Sequence, residues 1–197
     1  MKNRIALLSY VIVLFVIIAI TVGCIEDNGQ NNVEKKPSVL LNVIFDDYRA
    51  NYTLEDIETF DSYTGNGGYI KTKVLPDSVI ISDINEYTGV QITTLLEEIP
   101  NLPDNYNVSI ESDDGRIVEY TINEILGNVD VYNETGIILS NETAVMIIAY
   151  KENGSYYSEV DHENEIGPLR IAFVGDNAIT SSDLWSKMVV TVEIISI

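Results

Sequence analysis

The segment EIGPLRIAFVGDNAITSSDLWSKMVVTVEI, residues 165–194, contains two apolar runs joined by a polar connection. LRIAFVG (169–175) and KMVVTVEII (187–195) are rich in branched and aromatic residues, and glycine, proline or polar residues bound each run. Short runs of this composition are typical of β-strands. The segment therefore predicts two strands of a sheet that the preceding residues must complete.

Upstream of this segment the same criteria predict more strands than helices. The predicted strands span residues 39–45, 67–75, 78–82 and 144–150. Residues 106–122 alternate between apolar and polar on both sides of DDG (113–115), which predicts an antiparallel hairpin. GNGG (65–68) is predicted to be a flexible turn. Many short strands with a few short helices predict an α+β fold, with a β-rich mixed sheet and several short helices.

Three short helices are predicted between the strands. Thr53 with Asp56, and Thr121 with Glu124, have the spacing of N-terminal capping boxes. Gly89 is predicted to break the chain before the third helix, in which apolar residues recur at helical spacing. These apolar residues are Ile92, Leu95, Leu96 and Ile99.

The N-terminus has the pattern of a membrane-targeting segment. Lys2 and Arg4 precede an uncharged apolar run, residues 5–23, which is about as long as the hydrocarbon core of a bilayer requires. Small Gly23 and then Cys24 follow, and this order resembles the lipobox of secreted lipoproteins, cleaved before a lipid-bearing Cys24. The alternative is an uncleaved membrane anchor. Both interpretations place the rest of the chain outside the cytoplasm, because positive residues stay inside.

The 197 residues therefore divide into three predicted parts. Residues 1–23 are a signal peptide or membrane anchor, residues 24–37 are a polar tether, and residues 38–197 are one folded domain. A segment of about 150 residues is long enough to bury a core without disulfides. Cys24 is the sole cysteine, so no disulfide forms within the chain.

The charge of the chain restricts its partners. Lys and Arg number 11 against 31 Asp and Glu, for a net charge of −20. Nucleic acid is excluded as a partner because its phosphates need clustered cations. The expected partners are the membrane, through the N-terminal lipid or helix, and an envelope protein or a small-molecule ligand. Five Asn-x-Ser/Thr sequons fit a glycosylated exterior protein, at Asn51, Asn107, Asn133, Asn141 and Asn153.

Five sequence pieces occur in an order that points to a known family. They are YTGVQITTLLEEI (87–99), VSIESDDGRIVEYTINEIL (108–126), VMIIAY (145–150), GPLRIAFVG (167–175) and WSKMVVTVEI (185–194). In this order they resemble the molybdopterin-binding domain of the sulfite-oxidase-like oxidoreductases. The resemblance covers about two thirds of the chain, and it implies the fold of that domain.

The resemblance also implies a cofactor site. Molybdopterin is the cofactor it implies, and the matching positions are Tyr87, Gly89, Arg170, Trp185 and Lys187. In that family a cysteine thiolate upstream of the Tyr-x-Gly-Val element completes the metal site. The corresponding residues here, 67–90, contain no cysteine, so the soft ligand is missing. We therefore expect the fold without a metal site or catalytic residues.

Other conspicuous residues have simpler interpretations. His162, the sole histidine, lies among acidic residues and is predicted to be solvated. Ile166 and Ala172 stand where a calcium loop needs its glycine and its bidentate glutamate. Arg170 is predicted to pair with an acidic side chain, and Trp185 is predicted to pack in the core or at its rim.

Two functions remain from different classes. The favoured one is a surface-anchored, non-catalytic module that binds a ligand or another protein on this fold. The alternative is a molybdopterin-dependent oxidoreductase component that binds the cofactor without a cysteine. A purely structural envelope protein is a third possibility, and it predicts no ligand-sized pocket at the matching positions.

Overall fold

A computed structural model describes residues 38–75, 78–159 and 167–197. The predicted N-terminal segment and tether and the loop that contains His162 lie outside these residues, and so do residues 76–77 between two predicted strands. The described strands are β1 (Leu41–Phe45), β2 (Tyr48–Tyr52), β3 (Ser62–Leu75), β4 (Ser78–Ile81), β5 (Asn85–Gln91), β6 (Tyr106–Ser112), β7 (Ile117–Thr121), β8 (Val145–Glu152), β9 (Ser155–Tyr156), β10 (Arg170–Val174), β11 (Asp176–Ser181), β12 (Ser186–Lys187) and β13 (Val189–Ser196). The short helices are α1 (Leu54–Ile57), α2 (Ile92–Glu97) and α3 (Ile122–Ile125).

The strands form two mixed sheets. The first sheet has the order β2-β1-β13-β6-β7, in which β1 runs parallel to β13 and the other neighbours are antiparallel. The second has the order β11-β3-β5-β8-β10-β12, with β4 added on β3 and β9 added on β8. Its one parallel pair is β11 with β3. The predicted α+β class, with β-rich mixed sheets and short helices, is confirmed.

Both sheets contribute to one hydrophobic core. Val108 and Val192 of the first sheet and Ile147 and Phe173 of the second are fully buried members of the same cluster. The ring of Tyr120 on β7 packs 6.2 Å from that of Phe173 on β10. Burial of such side chains is the main term that stabilises a fold of this size.

Local sequence signals place the helices and the hairpin as predicted. Thr53 and Asp56 form a reciprocal capping box at α1, and Thr121 and Glu124 form one at α3. Helix α2 buries Ile92, Leu95 and Leu96, whereas Ile99, the fourth residue of the predicted face, is buried just after the helix ends at Glu97. The hairpin β6–β7 turns at DDG, where Gly115 takes a φ of +82°, a conformation that glycine adopts without strain.

The GNGG segment is not a turn, and its prediction was wrong. Residues 65–68 lie inside the 14-residue strand β3. A Cβ on Gly67 would lie 2.5 Å from the carbonyl oxygen of Phe173 and 3.2 Å from Trp185. The glycines therefore allow the backbone of β3 to approach β10, which is a requirement of packing between strands and not of a turn.

Gly89 does not break the chain either. It lies within β5, at a shift of register between β5 and β8. A Cβ on Gly89 would lie 2.1 Å from the carbonyl oxygen of Ile148. The strand therefore continues to Gln91, and the glycine serves the close approach of the two backbones.

None of the helices in the described part of the chain is long and apolar enough to cross a membrane.

Candidate functional site

A pocket opens where the end of the second sheet meets the β6–β7 hairpin. Its volume is about 290 Å³. Three basic side chains line it, Arg116, Arg170 and Lys187, together with Tyr69, Ser182, Asp183, Trp185 and Ser186. Residues 38–197 contain seven Lys and Arg, so nearly half of the positive charge of the domain is gathered here. We call it the basic pocket.

Arg170 is the central residue of the basic pocket. It begins β10, where it is paired with Ala149 on β8 and Lys187 on β12. Its guanidinium carbon lies 5.0 Å from the Trp185 ring, 5.5 Å from Tyr87 and 5.8 Å from Tyr69. Three aromatic faces around one cation attract it through their quadrupoles. They also fix its position, and only 13% of its side chain is exposed.

The hydrogen-bonding capacity of Arg170 is largely unused among the described residues. Its one ion pair there is with Glu152, at 3.6 Å from Nη1 to Oε2, so the predicted acidic partner is confirmed. Its Nε is buried without a hydrogen-bond partner among those residues, and so is the hydroxyl of the neighbouring Tyr157. Buried donors of this kind are costly unless an acceptor reaches them. The Tyr157 hydroxyl is an oxygen close to the guanidinium that can accept from it. The positive charge of Arg170 remains available to an anion in the pocket that this residue lines.

Trp185 forms the inner wall of the pocket. It follows a 3₁₀ turn, Ser182–Leu184, and its side chain is 4% exposed. The indole Nε1 donates to Thr180 Oγ1 at 2.8 Å, and the ring packs 5.3 Å from Tyr69 and 5.4 Å from Tyr87. Trp185 is therefore both core packing and pocket wall, and its polar atom is satisfied inside the protein.

The buried groups around Arg170 stay in their ordinary ionisation states. Burial raises the pKa of Tyr87 and of Tyr157, and the charge of Arg170 opposes the rise in both. Desolvation pulls the pKa of Arg170 down, but the neighbouring Tyr87, Tyr157 and Glu152 outweigh it, and the pKa is raised. A charged guanidinium among neutral phenols therefore faces the pocket at any physiological pH.

Two exposed basic side chains complete the rim. Arg116 follows the DDG turn, and its guanidinium donates to the Asp183 carbonyl oxygen at 3.5 Å. Lys187 lies opposite Arg170 on the short strand β12. The rim thus holds two exposed cations beside a buried one, an arrangement suited to capturing an anion from solvent.

The structure brings four of the five predicted site residues together. Arg170, Trp185 and Lys187 line the pocket, and Tyr87 lies behind the guanidinium. Gly89 lies instead against the β8 backbone. The sequence analysis missed Tyr69, Arg116, Ser182, Asp183 and Ser186. Of these, only Arg116 carries a sequence signal, because it is an isolated cation beside a hairpin turn in an acidic chain.

The predicted glycosylation positions differ in their surroundings. Asn51 and Asn141 are exposed, whereas Asn107 is half-buried inside β6. Asn133 Oδ1 accepts from the backbone N–H groups of Thr135 and Ile137. The Asn153 side chain donates to Asn85 and accepts from the Glu86 N–H. Attachment of a glycan at each position stays a prediction.

The residues at this site do not fit a molybdenum centre. Cys24 is the only cysteine, so residues 38–197 offer no thiolate. Strands β3 to β5 correspond to the segment that carries the metal-binding cysteine in the sulfite-oxidase-like family. Here these strands contribute tyrosines and closely packed glycines to this part of the structure. Within the described residues no group of three or more His, Cys, Asp and Glu is placed to hold a metal ion. The three basic side chains suit an anionic group, but a soft metal lacks its ligand.

Comparison with solved structures shows the class of fold, which is sulfite-oxidase-like and of the molybdopterin-binding type, as the sequence predicted. The sulfane dehydrogenase SoxCD from Paracoccus pantotrophus is similar to this chain with a TM-score of 0.54 at 16% sequence identity. The match covers 79% of this chain and only 37% of that one. At this identity the likeness is one of fold. No protein-family model and no curated protein matches the sequence.

Proposed function

We propose that residues 38–197 form a non-catalytic binding domain that holds a small anion in the basic pocket, on the outer side of a cell membrane. The observation that carries the proposal is a guanidinium enclosed by three aromatic rings that lines a pocket together with two further basic side chains, in a chain of net charge −20. When an acidic protein places its few cations around one cavity, the electrostatic potential at that cavity is opposite in sign to the potential over the rest of the surface.

The proposal excludes catalysis because the chain lacks the usual reactive groups at this site. The described residues that line the pocket include no histidine and no cysteine. Burial raises the pKa of Tyr87 and of Tyr157 and keeps both neutral, and the guanidinium of Arg170 cannot act as a base. What remains is a set of donors and charges, which bind and orient but do not transform a ligand.

Binding is measurable through the single tryptophan, whose ring lies 5.0 Å from the guanidinium of Arg170. Saturable quenching of Trp185 by sodium sulfate or a sodium carboxylate, at ionic strength held constant with sodium chloride, is expected. Lys187→Gln and Arg116→Gln are each expected to weaken binding about five-fold, because each removes one cation from the rim. Both residues are exposed, so stability should change little.

Arg49→Gln is the charge-matched control. Arg49 is exposed on β2 of the other sheet and donates to the carbonyl oxygens of Asp46 and Tyr48. If it weakens binding as much as Lys187→Gln does, the effect is one of net charge and not of the pocket. A linear, non-saturable response of Trp185 to every anion would contradict the proposed function.

The second candidate is a molybdopterin oxidoreductase component, which the fold favours. Protein purified from its own host and analysed for metals separates the two candidates. Molybdenum or tungsten in stoichiometric amount, with a pterin, would establish the second candidate. Metal-free protein that still binds anions would support the first.

The membrane anchor is proposed to be a lipid on Cys24. Cys24→Ser is expected to move the protein from the membrane fraction to the soluble fraction, because the thiol is the only attachment point of the lipid. Fractionation of host cells with immunoblotting measures this, together with the intact mass of detergent-extracted wild-type protein. Unchanged membrane retention of the variant, or a mature chain that begins at unmodified Met1, would instead establish a spanning helix.

A further inference from the structure

We infer that the edge of the second sheet beyond β11 is a docking surface for an extended segment of another protein, one that carries aliphatic and basic side chains. The edge consists of Ile137, Ile138 and Leu139, and we call it the aliphatic edge. It shares no residue with the lining of the basic pocket, so the inference goes beyond the proposed function and does not depend on it.

Two isolated bridges extend the second sheet beyond β11. Tyr132 is bridged to Ile179 of β11 and, on its other side, to Ile138. The backbone hydrogen bonds of the second bridge are made by the residues on either side of each partner. In an antiparallel pair of this kind, the N–H and C=O groups of Ile138 itself point away from Tyr132. Neither group has a hydrogen-bond partner among the described residues, so the edge can accept a further strand.

The side chains at this edge are aliphatic and exposed. Ile137 is 63% exposed, Ile138 52% and Leu139 38%. Natural sheet edges are usually protected by charged side chains or proline, and β2, at an edge of the first sheet, carries Arg49. The aliphatic edge has no such protection. Free backbone groups beside exposed aliphatic side chains are the features that an added strand recognises.

The turn that presents the edge is fixed by its own hydrogen bonds. Asn133 Oδ1 accepts from the N–H groups of Thr135 and Ile137, and the Gly136 N–H donates to the Asn133 carbonyl oxygen. Gly136 takes a φ of +79°, which glycine adopts without strain. An edge that is already ordered loses little conformational entropy when a partner strand pairs with it.

Carboxylates near the aliphatic edge determine the charge of its partner. A depression of about 210 Å³ has Leu139, Glu142 and Asp176 in its lining. Residues 127–144 contain three Asp and Glu, β11 contains one, and neither segment contains Lys or Arg. None of these carboxylates forms an ion pair among the described residues. A partner segment with Lys or Arg beside its aliphatic residues complements both the edge and the carboxylates.

The same charges disfavour a second copy of this chain as the occupant. Two aliphatic edges brought together would place the carboxylates of one copy against those of the other, and like charges across an interface are repulsive. A basic, extended segment of another protein is therefore the occupant that the edge fits.

Fluorescence anisotropy of labelled peptides tests the inference, with the full-length chain held in nanodiscs of neutral lipid. The chain is produced in a host that attaches no N-glycans, so that the sequons at Asn133 and Asn141 are unmodified. The peptide KVKVKVK is expected to bind saturably. The same peptide with methylated backbone nitrogens keeps its side chains and charge but loses the N–H groups that a strand pair requires, and about ten-fold weaker binding is expected. EVEVEVE is expected not to bind.

Ile138→Lys places a positive charge at the centre of the edge, where it repels the lysines of the peptide. The affinity for KVKVKVK is expected to fall about ten-fold. Ile117→Lys is the matched control, because Ile117 is 60% exposed on β7, an edge strand of the first sheet. It adds the same charge at another edge, and a change of less than about two-fold is expected.

A double variant tests the role of the carboxylates. Glu142→Gln with Asp176→Asn is expected to weaken KVKVKVK binding about five-fold, because both attractive charges beside the edge are lost. Glu119→Gln with Glu193→Gln is the charge-matched control, since both residues are exposed on strands of the first sheet. Its affinity is expected to stay near that of the wild type.

The outcomes decide between the occupants. Weaker binding of the methylated peptide and of Ile138→Lys, with both controls near wild type, supports the inference. Equal weakening by Ile138→Lys and Ile117→Lys, or equal affinity for the two lysine peptides, overturns it. Self-association in analytical ultracentrifugation that Ile138→Lys abolishes assigns the edge to a second copy and also overturns it. Circular dichroism establishes that each variant is folded, and the peptide comparison on the wild type decides the question if Ile138→Lys is not.

Discussion

Gly89→Ala is expected to lower the free energy of unfolding by about 3 kcal/mol, the upper end of the range for an inserted group that the surroundings cannot accommodate. The new Cβ would lie 2.1 Å from the carbonyl oxygen of Ile148 and 2.6 Å from the Cα of Ala149. Both are backbone atoms of β8, a central strand of the second sheet, so neither can move without breaking the pairing of β5 with β8. Urea denaturation followed by circular dichroism measures the loss.

Gly115→Ala is the matched control for this substitution. Gly115 has a φ of +82°, but a Cβ there would meet no atom within 4 Å. Its replacement therefore carries only the conformational strain of a left-handed residue, about 1 kcal/mol. Equal losses in the two variants would show that β5 and β8 are farther apart than described. A Gly89→Ala variant that keeps its stability but loses ligand affinity would restore the binding role that the family resemblance implied.

Arg170→Met is expected to abolish anion binding, with an affinity loss of about 100-fold or more, because hydrogen bonds to a charged donor contribute roughly 1.5–3 kcal/mol each. It is also expected to destabilise the fold by about 3 kcal/mol, since it leaves the Glu152 carboxylate, which is 19% exposed, without its cation. Titration of Trp185 fluorescence measures the first effect and urea denaturation measures the second.

The double variant Arg170→Met with Glu152→Gln separates these two effects. It removes both members of the ion pair, so most of the stability is expected to return while anion binding stays absent. If binding returns with stability, Arg170 supports the structure and another group holds the anion. If Arg170→Met alone binds anions as the wild type does, the basic pocket is not the site.

The sequence predicted those parts of the fold that depend on neighbouring residues. Both capping boxes and the DDG hairpin are local patterns, and each is confirmed. Helix α2 was predicted from the spacing of its apolar residues, because that spacing reflects one buried face. These signals need no knowledge of which strands become neighbours.

The errors arose where distant segments meet. GNGG has the composition of a turn, and only the approach of the Phe173 carbonyl oxygen explains why a strand contains it. Strands β2 and β11, with the sequences YRANY and DNAITS, were missed because their polar residues give little of the apolar pattern that marks a strand. Strand β11 is held by pairing with the distant β3, which is not a local property. Strand β2 is the exception, because it pairs with β1 across the tight turn at Asp46 and Asp47 and was missed for its polar composition alone.

The site was predictable to a smaller extent. The resemblance indicated Arg170, Trp185 and Lys187, but not that Arg116 from the β6–β7 hairpin joins them. The pairing of Arg170 with an acid was predicted, whereas its partner Glu152 lies on β8, a different strand. Which charged side chains surround a pocket depends on such long-range neighbours, so they can be identified only from the folded structure.

The parallel pairing of β1 with β13 also affects when the domain can fold. In the first sheet β13 lies between β1 and β6, so the strand made last from the domain separates two that are made much earlier. Until residues 189–196 are available, β1 has no central partner, and contacts of such wide separation form slowly. The first sheet is therefore the part of the domain that a growing chain completes last, however early its β1–β2 hairpin forms.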